Sequence, residues 1–158
     1  MGQYTKLLQL KPSELASIKR EELYIRFYPD HQVAENNSLD LDKSLPGIQF
    51  LLSGSLNSDN PYQNLLNGEI ILPPEDEGVV YRVLTPVEIE KADQLFHTLE
   101  DSDLRQNYNP LIMTASNVYP DIWENGSESY DYLYNHFLGL KRFISKAAAD
   151  SKVVVMTT

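Results

Sequence analysis

Six residues carry the side chains from which a reactive or ligand-binding pocket could be assembled: Asp42, Lys43, Gln49, Tyr119, Trp123 and His136. A carboxylate, an amine and an imidazole brought together can exchange protons with a small molecule near neutral pH, while Tyr and Trp supply apolar walls with a polar tip. The same residues have ordinary structural uses. Asp40 and Asp42, just ahead of a helix, can accept its free backbone N–H groups. His136 falls inside the apolar arc of a long helix, where a histidine bonded to a backbone carbonyl is the common arrangement. Other chemistries lack their patterns. There is no cysteine to serve as thiolate or zinc ligand, and the seven glycines form neither a phosphate loop nor a dinucleotide fingerprint. Ser53-Gly54-Ser55 is not a nucleophile elbow, and His31, His97 and His136 lack metal-ligand spacing, so no metal or cofactor is expected.

The elements that must position these residues are legible as local patterns. Gln3 to Leu10 alternates as a strand, and Ser13 is a candidate N-cap for a short helix through Arg20. Leu23 to Tyr28 reads either as a second strand or as more of that helix, ended by Pro29. His31 to Ser38 reads as a polar loop. A helix capped at about Asp42 to Ser44 carries Pro46 in its first turn and ends at Gly54. One or two helical turns over Pro61 to Leu66 and strands at 69–72 and 79–84 come next.

Thr85-Pro86-Val87-Glu88 is a capping box that starts a helix to about Leu99, with Thr85 expected to contribute more than Glu88. A shorter helix from Asp101 or Ser102 to Tyr108 and a helical piece over Leu111 to Ser116 precede a loop, 121–127, that holds Trp123. The last helix, about Ser129 to Asp150, spreads its apolar residues over about 200° of arc, against about 100° for a surface helix, and so calls for cover on two sides. Residues 152–157 close the chain as a continuous apolar strand, the pattern of an interior strand. The reading is a single α/β domain over residues 1–158, with α+β as the alternative.

The net charge is −10 and unevenly spread: residues 1–29 carry +2, residues 30–79 carry −8 and residues 80–158 carry −4. So acidic a middle third repels phosphate backbones and anionic membranes, and no apolar run is long enough to span a bilayer. Neither nucleic acid nor a membrane is therefore expected as a partner. A basic protein is, with Glu75, Asp76 and Glu77 as its contact residues, or else a small molecule. The N-terminus has no signal-peptide pattern and cysteine is absent, which fits the cytoplasm.

Asp42-Lys43, Leu45, Gln49 and Leu52-Ser53-Gly54 resemble the Asp-Lys-x-Trp-x-x-x-His-x-x-Leu-Thr-Gly helix of the YfbM-like proteins, a bacterial family without an assigned activity. The order of Leu84-Thr85-Pro86, Leu99, Leu104 to Asn109, Tyr119-Pro120, Trp123, the aromatic helix and the last strand extends the resemblance over nearly the whole chain. It implies a compact cytosolic protein with a mixed sheet covered by helices. Two positions depart from the pattern: Leu45 stands for the Trp, with Pro46-Gly47 after it, and Gln49 stands for the His. Gln cannot transfer protons near neutrality as His can.

Taken together, the residues favour an acidic binding protein without catalytic activity, of which an immunity-type protein that neutralises a basic toxin is one form. The alternative is a small-molecule-processing enzyme with its pocket near Asp42, Lys43 and His136.

Overall fold

The computed structural model describes residues 4–29, 37–54, 61–62, 64–72 and 78–158. Five strands, β1 (Lys6–Leu10), β2 (Ser38–Asp40), β3 (Glu69–Leu72), β4 (Tyr81–Leu84) and β5 (Val153–Thr157), form one sheet in the order β2-β1-β5-β4-β3. Every pairing is antiparallel, so the sheet is not the mixed one that the family resemblance implies. The last strand of the chain lies at the centre, as its apolar run predicts, and all five of its residues are buried.

Strand alternation divides the core in two. Val154 and Met156 of β5 share one face with Leu7 and Leu84, packed under α3 (Leu45–Ser53), α4 (Pro86–His97), α5 (Asp101–Asn107) and α7 (Ser127–Ala149). Val153 and Val155 share the other with Leu8, Leu10, Tyr81 and Val83, closed by Leu23 and Phe27 of α2 (Arg20–Phe27). The segment that read equally as strand or helix is therefore helix. α7 buries Tyr130, Leu133, Phe137, Leu140, Phe143, Ile144 and Ala147, and the buried Gln9 side chain donates to the Phe143 carbonyl at 3.0 Å, tying helix to sheet.

Several boundaries differ from the sequence reading. The first helix, α1, is only Pro12–Leu15 and begins after Lys11 rather than Ser13, because the fixed φ of Pro12 suits the first helical position. Ser38–Asp40, read as loop end and helix cap, is a strand paired with β1. Residues 61–62 and 64–67 make turns, with no helix among them. α6 (Pro110–Ala115) begins at Asn109, whose side chain accepts from the Ile112 N–H at 3.1 Å. Gly54 does end α3 in the left-handed conformation, at φ 71°.

Gly47, in the first turn of α3, has a packing reason. A Cβ there would stand 2.6 Å from Leu133 Cδ2 and 2.7 Å from Trp123 Cη2. The side chains of α7 and the Trp123 turn therefore press directly on the α3 backbone. This close approach outweighs the helix propensity that Gly gives up, about 1 kcal/mol relative to Ala.

The capping box at α4 is formed, with its weight reversed from the sequence reading. The Thr85 N–H donates to Glu88 Oε2 at 2.7 Å, whereas the Glu88 N–H reaches Thr85 Oγ1 at 3.4 Å. The shorter bond has an ionised acceptor and is the stronger of the two. We predict that Glu88→Ala lowers stability by about 1 kcal/mol and Thr85→Ala by less. Urea denaturation measures both, and a larger loss for Thr85→Ala would contradict the geometry.

Candidate functional site

The corner between β2 and α3 is built from short-range hydrogen bonds. Asp40 Oδ1 accepts from the Asp42 N–H at 2.8 Å, the Asp42 carbonyl accepts from the Thr5 N–H at 3.0 Å, and Ser44 Oγ donates to the Leu41 carbonyl at 2.6 Å. These bonds hold Asp42 at φ 49°, a conformation that Asp tolerates better than most residues. Asp42 is thereby turned away from capping α3. Its Oδ2 instead accepts from the Tyr132 hydroxyl at 2.8 Å, and the same hydroxyl oxygen accepts from the Lys43 N–H at 3.3 Å.

Around this contact lies a cluster of phenols and one amine. The Lys43 ammonium stands 5.0 Å from the centre of the Tyr4 ring, and the phenol oxygens of Tyr4 and Tyr119 hold it above the usual lysine range. Burial, then the hydrogen bond to Asp42, pushes the Tyr132 phenol up from its ordinary value. His136, one turn along α7, sets its ring edge-to-face on Tyr132 at 4.8 Å. Among the described residues no hydrogen bond joins its imidazole, so the expected backbone-bonded core histidine is not what the structure places here.

Of the six residues singled out in the sequence, Asp42, Lys43, Tyr119 and His136 thus converge, with Tyr132 and Tyr4 completing the group. Trp123 does not join them. It opens a one-turn 3-10 helix, is 0% exposed, and donates its indole N–H to the Val118 carbonyl at 2.6 Å, so it belongs to the core beneath α3. Gln49 faces elsewhere, into a cleft of about 370 Å³ walled by Leu45, Pro46 and Leu66 and bearing Asn67, Arg82 and Thr5. Its amide approaches Asn67 Oδ1 at 3.5 Å. Thr5 links the two places, lining the cleft while its N–H holds Asp42. Glu75, Asp76 and Glu77 lie outside the described residues.

The place of Tyr4 follows from strand register. The register Lys6↔Asp40, continued outward, brings Tyr4 to the Asp42 corner, and only the unrecognised β2 hid it. Tyr130 repeats the Tyr132 pattern further up α7. Its hydroxyl donates to Asp101 Oδ1 at 2.7 Å, and this bond, ahead of Arg105, holds the Asp101 carboxyl below its ordinary value. A phenol that holds a carboxylate at a helix or strand end is therefore used twice along one helix.

Removing the Tyr132 hydroxyl takes away one donor and one acceptor at the corner. Tyr132→Phe is expected to lower stability by about 1–2 kcal/mol, since the Asp42 carboxylate loses a hydrogen bond that burial has made valuable. Superimposable urea curves for the two proteins would show that the corner does not depend on it.

The described helices include none long and apolar enough to cross a membrane. No curated protein matches the chain. A solved structure of similar fold is the crystal structure of YfbM from Escherichia coli, a protein of unknown function. It matches at a TM-score of 0.71 and 12% identity, over 98% of this chain and 99% of that one, and at that identity it speaks for the fold alone. The family model that matches residues 1–157 is a domain of unknown function, DUF1877, and the chain belongs to that family.

Proposed function

We propose that this protein acts by binding a basic protein partner and carries out no chemistry of its own. The observation that supports this reading is the direction in which the Asp42 cluster shifts its groups. A general acid or base works best with a pKa near the working pH, and active sites bring one there by pushing amines down or carboxyls up. Here the Lys43 amine and the Tyr132 phenol are both pushed up, further from neutrality. The amine has Tyr4 and Tyr119 as its partners and the phenol has Asp42, which suits a recognition corner with an aromatic rim.

The partner's chemistry follows from charge. Residues 30–79 carry nine acidic groups and one basic group. Asp40, Asp42 and Glu69 of these lie at the β2 and β3 ends of the sheet. Charge of one sign speeds encounter with a basic surface and repels nucleic acid. An immunity-type protein that neutralises a basic toxin is the specific form this takes, and the cysteine-free chain suits the reducing cytoplasm. A second reading, a small-molecule ligand or substrate beside Gln49 and Arg82, draws on the cleft of about 370 Å³, which falls within the usual size of ligand pockets.

The test is the association of the chain with basic proteins of its host. The rate is expected to fall as ionic strength rises from about 0.01 to 0.15 M, where the Debye length shrinks from about 30 to 8 Å. It is expected to fall further when Glu75, Asp76 and Glu77 are all changed to Lys. A rate indifferent to both salt and charge reversal would overturn the reading, as would turnover of a metabolite that is lost in Lys43→Met.

A further inference from the structure

We infer that the cleft beside the C-terminal ends of α4 and α7 binds the phosphate group of a small molecule. His97, the last residue of α4, lines two adjoining cavities of about 560 and 510 Å³, which also share Ser145 and Ala149. The larger is mixed in charge, with Glu90 and Asp93 opposite Lys152. The smaller is lined by His97, Leu138, Lys141, Arg142, Ser145 and Lys146 and holds no carboxylate.

That lining is at odds with the rest of the chain. Residues 132–149 contain three cations and no acidic residue, a charge of +3, while the remaining residues carry −13, which together give the net −10. Lys141, Arg142 and Lys146 make no ion pair among the described residues. The negative end of the helix dipole accounts for Lys146, in the last turn of α7. It does not account for Lys141 and Arg142, because its influence fades within one turn.

The donors also match one chemistry. A guanidinium fork, two ammonium groups and a hydroxyl on the lining can supply the hydrogen bonds and the charge that a phosphate dianion takes up, and their charge must outweigh the negative dipole ends of α4 and α7. His97 Nδ1 lies 2.8 Å from the Asp93 carbonyl and 3.1 Å from Asp93 Oδ1, which engages this nitrogen, and Nε2 can donate to a phosphate only when the ring carries both protons. Leu138 and Ala149 offer apolar surface to the ligand's body. An extended polyanion would have to leave this small patch for strongly acidic surroundings, which favours a small molecule over nucleic acid or an acidic protein.

The test is an amide chemical-shift titration of the full chain with inorganic phosphate and with glycerol 3-phosphate, at ionic strength matched with sodium chloride. Saturable shifts at His97 and across 141–149 are expected from both, with tighter binding of glycerol 3-phosphate. Changing the exposed Arg142 and Lys146 to Gln is expected to weaken binding about tenfold. Lys11→Gln with Lys19→Gln, exposed cations elsewhere, is expected to leave it unchanged. Shifts reproduced by sodium chloride alone, or kept in full by Arg142→Gln with Lys146→Gln, would overturn the assignment. So would tighter binding of a polyglutamate peptide, or of vesicles of equal phosphatidylglycerol and phosphatidylcholine, since either would make the patch a docking surface for a macromolecule.

Discussion

A strand that is apolar on both faces can be buried only in the middle of a sheet with cover on either side, and Val153–Thr157 imposes that requirement on the whole chain. β1 and β4 flank it, and the two-sided alternation of Val153 and Val155 against Val154 and Met156 divides the core. One side is closed by the short α2, the other by the long α7 and its neighbours. Because α7 leads directly into β5, its register over the sheet is fixed by the same burial, and the buried Gln9 amide adds a polar tie at Phe143.

The surface features follow from that placement. With α7 laid across one face, Leu133 presses on α3 at Gly47, while Tyr130 and Tyr132 reach outward to carboxylates on the flanking segments, Asp101 and Asp42. The phenols turn a packing helix into a scaffold that orders charged corners. At its far end α7 exposes cations instead, and the tip of α4 brings His97 to them. An acidic protein thus keeps a local basic cleft at one end of its longest helix.

Signals written in adjacent residues were legible in the sequence. Thr85-Pro86-Val87-Glu88 started a helix where expected, the apolar arc of 129–149 belonged to a helix covered on two sides, and 152–157 was the interior strand. What was illegible depended on partners far away in the chain. β2 is three residues long and exists only because β1 pairs with it, so Asp40 and Asp42 looked like helix caps. Trp123 read as a loop residue, and only the missing side chain of Gly47 shows where the indole goes. Gln49 lies on α3, a few residues after the Lys43 corner, yet faces a different cleft. The basic cleft needed α4 and α7 side by side to bring His97 to residues more than forty positions later.

The proposed recognition role of the Asp42 corner requires an amine that neighbouring phenols hold as a cation. The most direct measurement is the titration of the Lys43 side-chain nitrogen by NMR. The account predicts a midpoint above the ordinary lysine value of about 10.4, lowered when Tyr4 is changed to Leu, because the neighbouring phenol oxygens stabilise the charged form. A midpoint near neutrality would contradict it, since that is the behaviour of an amine prepared for proton transfer or nucleophilic attack.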